Sequence, residues 1–127
     1  MNYEALLSSR GARTREELVR VDVFKAVDMA VKGNIYEGGK VTSRTIWTSD
    51  GERKTVGIML PGSYSFSTST QEKMEITNGV VEVRLGADGE WSIHKEGEFF
   101  MVPAGITFEI RCAGIAEYVC SYLKASE

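Results

Sequence analysis

Residues 80–112 read VVEVRLGADGEWSIHKEGEFFMVPAGITFEIRC and contain four short runs that are rich in β-branched and aromatic residues. In the first run Val81 and Val83 alternate with charged residues, and the run at 107–112 alternates in the same way. A period of two places apolar side chains on one face of a strand and charged side chains on the other. This stretch therefore predicts antiparallel strands with one buried face and one solvent-exposed face.

The same pattern extends in both directions, from about Gly38 to the C-terminal end. Eleven of the thirteen glycines lie in this part, and turn signals such as Asp50-Gly51 and Asn78-Gly79 return every eight to twelve residues. Short apolar runs at this spacing predict an all-β sandwich or barrel. The nine runs are VTSRTIWT, TVGIML, YSFST, KMEIT, VVEVRL, EWSIHK, EFFMVP, TFEIRC and AEYVCSYL.

The N-terminal part of the chain has a different pattern. Residues 14–17 carry a capping-box signature, and a glycine ends the pattern. These signals predict an N-terminal extension, residues 1–33, with one helix over about 15–31, followed by the β domain over 34–127. Alternating valines at 19–23 leave a strand as the alternative. The residues that recur at helical spacing are Val23, Ala26, Val27, Ala30 and Val31.

Composition is that of an ordinary single-domain globular protein: 127 residues, 43% hydrophobic and 26% charged. A net charge of −3 gives no general attraction to nucleic acid or anionic lipid. No apolar run is long enough for a membrane span, and the N-terminus lacks the order of a secretory signal. The two cysteines, Cys112 and Cys120, match neither the spacing of a zinc site nor the pattern of a disulfide framework. We therefore expect reduced core thiols in a cytoplasmic protein.

Two spaced motifs resemble those of the cupin jelly-roll β-barrel. Glu72 is followed after six residues by Gly79, as in the first cupin motif. Gly97 is followed after five residues by Pro-x-Gly at 103–105, as in the second. The resemblance implies a cupin-type jelly-roll barrel, to which the predicted helix adds a short N-terminal extension.

The metal ligands of the cupin pattern are replaced in this chain. Residues 64–68, which read YSFST, occupy the positions at which the first motif has its histidines. Phe108 occupies the position at which the second motif has its histidine. Iron and manganese in such sites need imidazole and carboxylate ligands, which hydroxyls and a phenyl ring cannot replace. We therefore expect no metal site.

Six motifs follow in order between about residues 34 and 123, at 39–41, 56–59, 64–68, 72–79, 100–103 and 118–123. Through them this stretch resembles the pyrimidine/purine nucleoside phosphorylase family of small cupins. The resemblance implies phosphorolysis of purine and pyrimidine nucleosides to a free base and ribose 1-phosphate, with broad tolerance for the base. It further implies a metal-free homodimer that uses inorganic phosphate as co-substrate and needs no cofactor.

Phosphorolysis needs donors for phosphate, a carboxylate beside the cation-like ribosyl centre, and a donor for the leaving base. Glu72 and Glu109 are further carboxylates of the β domain, and every candidate also has a structural interpretation as a core or surface residue. We expect catalysis by Glu75, Ser67 and Thr68. We expect substrate binding by Tyr64, Phe66, Phe108, Tyr122 and Lys40.

A second function fits the same pattern. A metal-free cupin could hold a small polar ligand without turnover and pass the signal to a partner. The N-terminal extension motivates this alternative, because an added amphipathic segment often covers a pocket or a partner subunit.

Overall fold

A computed structural model describes residues 23–124 of the chain. Within that range the chain forms strands connected by short turns, with one 3-10 turn at Glu37–Gly39. No helix there is long and apolar enough to cross a membrane. The strands are β1 (Asp28–Met29), β2 (Asn34–Tyr36), β3 (Val41–Trp47), β4 (Arg53–Met59), β5 (Gly62–Ser67), β6 (Glu72–Asn78), β7 (Val80–Leu85), β8 (Trp91–Lys95), β9 (Phe99–Val102), β10 (Thr107–Cys112) and β11 (Ala116–Tyr122).

The strands form two antiparallel sheets that share one core. The large sheet has the order β1-β3-β4-β11-β6-β9, and β2 also pairs with β3. The small sheet has the order β5-β10-β7-β8. The all-β prediction is confirmed. The predicted barrel is not closed, because no hydrogen-bonded ladder joins the two sheets at their edges within the described residues.

Each of the nine apolar runs forms a strand, and the alternation correctly identifies the buried faces. Val81 and Val83 of β7 are 0% and 1% exposed, and Phe108 and Ile110 of β10 are 3% and 1% exposed. Their charged neighbours point outward and form salt bridges across the small sheet, such as Arg84 with Glu109 at 2.8 Å. One side of β7 and of β10 therefore packs in the core while the other meets water, as antiparallel sheets allow.

The predicted helix over 15–31 is wrong for the part that the structure describes, residues 23–31. Asp28–Met29 is a strand that pairs with Trp47 and Ile46 of β3, and Ala26 has a positive φ of 56°. The backbone of Ala30 donates to Thr45 of the same strand at 2.9 Å. Ladder bonds to the free edge of β3 thus override the helical spacing in this segment. The remainder of that helix lies outside the described residues.

Gly57 of β4 leaves room for the ring of Tyr118 on the neighbouring strand β11. The two residues are cross-strand partners. A Cβ atom at position 57 would lie 2.5 Å from the Tyr118 ring and 2.7 Å from the carbonyl oxygen of Thr42. Close packing of two sheets leaves few places to which such a large ring can move.

We predict that Gly57→Ala destabilises the protein by about 1–3 kcal/mol, because it overpacks this point of the core. Gly114→Ala is the matched control, since a Cβ atom there meets no atom within 4 Å. Equilibrium unfolding in denaturant measures both variants. Equal stability of the two variants would contradict the steric argument.

Candidate functional site

A cavity of about 310 Å³ lies between the two sheets. Its volume falls within the range of small-molecule sites, about 300–1,000 Å³. The register of the large sheet arranges its wall in layers, because residues directly opposite each other on neighbouring strands share a face. A charged row lies at one end of this wall, and apolar residues such as Met59 lie at the other.

The charged row consists of Arg53, Tyr122 and Glu72, on β4, β11 and β6. Tyr122 is the cross-strand partner of Glu72, and it is adjacent to Arg53 because Ser121 pairs with Lys54. The Arg53 guanidinium stacks on the Tyr122 ring, with its Cζ 4.0 Å from the ring centroid. Among the described residues that line the cavity, Arg53 is the single cation and Glu72 the single carboxylate.

Polar groups in the next layer hold the charged row in place. The Cys120 thiol donates to Oε1 of Glu72 at 3.3 Å, and Oγ1 of Thr55 lies 3.1 Å from the Tyr122 hydroxyl. Thr55 and Cys120 are cross-strand partners, and both are buried. The wall therefore carries a connected set of hydrogen-bonding groups instead of isolated polar atoms, as burial requires.

Burial sets the protonation of these groups. It raises the pKa of the Glu72 carboxyl, while the hydrogen bond from Cys120 and the charge of Arg53 act in the opposite direction. Burial raises the pKa of the Cys120 thiol to about 12, with the neighbouring Glu72 charge adding to the shift. It also raises the pKa of Tyr122. Cys120 and Tyr122 are therefore neutral donors at physiological pH.

Two aromatic rings of the small sheet, with Tyr36 of the large sheet beside them, line another part of the cavity. Phe66 and Phe108 are cross-strand partners on β5 and β10, with ring centroids 6.1 Å apart. Tyr36 of β2 meets Phe66 edge-on at 6.0 Å, and all three line the cavity. A flat aromatic ligand would find a stacking surface here, within the same cavity as the charged row.

Four of the sequence-predicted residues line the cavity: Phe66, Ser67, Phe108 and Tyr122. The Ser67 hydroxyl already shares a hydrogen bond of 2.8 Å with the hydroxyl of Thr107. These residues come from three strands, β5, β10 and β11, which the topology brings together around one space.

Two further candidates lie beside the cavity and bond to backbone carbonyls. The Tyr64 hydroxyl donates to Leu60 at 2.6 Å, and Oγ1 of Thr68 donates to Pro103 at 2.7 Å. Thr68 thereby joins the end of β5 to the Pro-x-Gly turn at 103–105. Neither residue is part of the cavity lining.

Glu75 and Lys40 lie away from the cavity. Met74 and Ile76 on either side of Glu75 are buried in the core, so Glu75 occupies the outer face of β6. Its side chain is 43% exposed, 4.0 Å from the Lys73 ammonium. Lys40 is exposed on the turn before β3.

Sequence reasoning did not single out Arg53, because the apolar run of β4 begins only at Thr55. The alternation within β4 carries the missing signal, since residues 53, 55, 57 and 59 share one face and Met59 is buried. Other lining residues with polar groups that lie outside the predicted site include Tyr36, Ser43, Thr55, Ser69, Tyr118 and Cys120.

No group of three or more His, Cys, Asp or Glu side chains within residues 23–124 is placed to hold a metal ion. His94, the single histidine of the chain, lies on β8 with its ring 4.6 Å from that of Phe100. It does not line the cavity. The polar residues of the cavity thus offer hydroxyl, thiol, guanidinium and carboxylate groups.

Comparison with known proteins identifies the family. The model of the pyrimidine/purine nucleoside phosphorylase family matches residues 31–122. The chain belongs to this family. A pyrimidine/purine nucleoside phosphorylase of Syntrophotalea carbinolica is 46% identical over 101 residues, which are 80% of this chain and 97% of that protein. One from Sulfurovum sp. is 47% identical over 100 residues, covering 79% and 97% of the two chains.

Solved structures support the fold. A crystal structure of a protein of unknown function from Acinetobacter sp. ADP1 matches with a TM-score of 0.76 and 33% identity, covering 79% of this chain and 97% of that one. The EutQ protein of Clostridium difficile matches with a TM-score of 0.56 at 16% identity, covering 65% and 67% of the two chains. The second likeness extends to the fold alone.

We predict that Cys120 resists alkylation by iodoacetamide at pH 8 although its thiol lines the cavity. The thiolate is the reactive form, and burial raises the pKa of this thiol to about 12. Mass spectrometry of native and denatured protein after timed alkylation measures the difference. Modification of native Cys120 as fast as in the denatured protein would contradict it.

Proposed function

We propose that the protein is a pentosyltransferase that converts purine and pyrimidine nucleosides with inorganic phosphate into the free base and ribose 1-phosphate. Relatives that cover most of the chain bear the name of this activity. The observation that carries the proposal is the cavity itself, which is lined by aromatic rings, one cation and one carboxylate. These groups match the flat base, the phosphate and the ribosyl centre of the reaction.

Stacking explains how one site accepts both classes of base. Every nucleobase presents a π-face, so a ring platform binds purines and pyrimidines without reading their hydrogen-bonding edges. The partly buried ring of Phe66 supplies this platform, with the buried Phe108 packed against it and Tyr36 bordering it. We propose that these rings hold the base and that broad base tolerance follows from them.

Glu72 is the carboxylate that we propose to act on the ribosyl centre. Positive charge develops on the sugar as the bond to the base breaks, and a fixed carboxylate stabilises that charge. Glu72 lines the cavity, whereas Glu75 faces outward on the same strand. The thiol of Cys120 fixes one Glu72 oxygen and leaves the other for the substrate.

The reaction balances without a cofactor. The electron pair of the bond between C1′ and the base nitrogen leaves with the base. An oxygen of hydrogen phosphate forms the new bond to C1′. The proton of the hydrogen phosphate ends on the base, which leaves the dianion of ribose 1-phosphate. Protonation of the departing base lowers the barrier, because an unprotonated base leaves as an anion.

The remaining sequence-predicted residues take supporting roles in this proposal. Ser67 borders the cavity, and its hydroxyl joins β5 to β10 through the hydrogen bond with the exposed Thr107. Thr68 and Tyr64 hold the backbone beside the cavity through their hydrogen bonds to Pro103 and Leu60, respectively. Lys40 lies on the surface, where it contributes long-range attraction to anions. Following the family resemblance, we further propose a cytoplasmic homodimer.

We predict phosphate-dependent release of base from uridine, cytidine, adenosine, guanosine and inosine. Chromatography of the free base and of ribose 1-phosphate measures the reaction, with a phosphate-free sample as control. Release without phosphate would identify a hydrolase. Binding of these nucleosides without any release would favour a ligand-binding module.

The two carboxylates of β6 can be compared directly. We predict that Glu72→Gln lowers kcat/KM by about 10²-fold, because it removes the charge that stabilises the ribosyl centre. Glu75→Gln, which removes the same charge on the outer face, should stay within about twofold of the parent. The opposite order of effects would return the catalytic assignment to Glu75.

Activity should also depend on the protonation of Glu72. The ionised form is the active one, and burial raises the pKa of this carboxyl above its ordinary value of 4.5. Protonation on lowering the pH therefore begins earlier than for an exposed glutamate, and kcat/KM falls on an acid limb above pH 4.5. This limb should be absent from the residual activity of Glu72→Gln. A pH profile of both proteins tests the assignment, and identical limbs would contradict it.

A further inference from the structure

The cavity carries a cation that no sequence motif indicated. Arg53 begins β4, lines the cavity and lies in the charged row beside Tyr122. Phosphate at neutral pH carries between one and two negative charges, and its binding in a partly buried site needs a compensating charge. Among the described lining residues, Arg53 is the single group that supplies one.

The Tyr122 ring holds the guanidinium without using its donors. Cζ of Arg53 lies over the Tyr122 ring, 4.0 Å from the ring centroid, so the face of the ring holds the cation. The ring is itself held, because its hydroxyl lies 3.1 Å from Oγ1 of Thr55. A guanidinium held by a ring face can still donate two parallel hydrogen bonds from its N–H groups, in a fork geometry that matches two phosphate oxygens.

Arg53 is not neutralised by a salt bridge within the described residues. The bridges found there join Lys54 to Glu52, Lys73 to Glu75, Arg84 to Glu109 and Arg111 to Glu82. Glu72 lies two strands away from Arg53, with β11 between them, which is about 10 Å at the backbone. Burial raises the pKa of Glu72 and the Arg53 charge lowers it, but no salt bridge joins the two residues within the described part of the chain, so both remain available to a ligand.

We propose that Arg53, stacked on Tyr122, is the phosphate-binding residue of the cavity. This assignment deepens and rests on the proposed phosphorolysis. The phosphate lies on the Arg53 side of Tyr122 and the ribosyl centre on the Glu72 side. Separation of the two charges prevents Glu72 from repelling the incoming phosphate at close range, since the interaction falls with distance. The same guanidinium then holds the phosphate group of the ribose 1-phosphate product.

The test separates phosphate binding from turnover. Arg53→Gln should raise the KM for inorganic phosphate by about tenfold or more, while the KM for the nucleoside changes less than about twofold. Arg53→Lys keeps the charge but loses the fork, and should fall between the parent and Arg53→Gln. Arg44→Gln is the matched control, because Arg44 is exposed and donates to the backbone of Val31. Its KM for phosphate should equal that of the parent.

Binding without turnover gives a second readout. Inorganic phosphate should raise the thermal midpoint of the parent and of Arg44→Gln relative to sodium chloride at equal ionic strength, and should not raise that of Arg53→Gln. A parent that binds phosphate through Arg53 but releases no base would support this inference and refute the proposed function. An unchanged KM for phosphate in Arg53→Gln, or equal stabilisation of all variants, would overturn the inference.

Discussion

The position of β11 between β4 and β6 is the constraint on which the cavity depends. The strands β4 and β6 do not pair with each other, so their relative position is set by the ladder that each forms with β11. Arg53 and Glu72 begin those two strands, and Tyr122 ends the one between them. A shift of either ladder by one residue would turn a charged side chain out of the cavity, because the side chains of a strand alternate between its faces.

The surroundings of this row accommodate two charges that form no salt bridge within the described residues. Arg53 is exposed, whereas Glu72 is partly buried, where a charge is costly unless it is paired or hydrogen-bonded. Glu72 accepts from a thiol that stays protonated, and Arg53 rests on a phenol ring. The charges are therefore stabilised without being cancelled, which is a common compromise between stability and function at sites that bind polar ligands.

The strands were predictable because their signal is local. Alternation in residues 80–85 and 107–112 specifies a buried face from the sequence alone, and glycines at the turns mark where each strand ends. The segment at 23–31 was not predictable in this way, since a free edge of β3 decides its conformation. Phe66, Phe108 and Tyr122 were placed in the cavity because they fall within recognisable strands and motifs. The position of Arg53 in the cavity depends on the order of the strands in the sheet. The sequence of a single strand does not specify which strands lie beside it.

The central place of β11 also affects how the protein acquires its fold. The ladder that joins residues 116–121 to 54–59 pairs residues separated by about half of the chain, and such long-range pairings make folding slow. During synthesis β4 and β6 emerge well before the strand that must lie between them. Until then their inner edges expose unpaired backbone groups, to which strands of other chains can add. Cells that produce this protein at high concentration would therefore be expected to rely on chaperones during that interval.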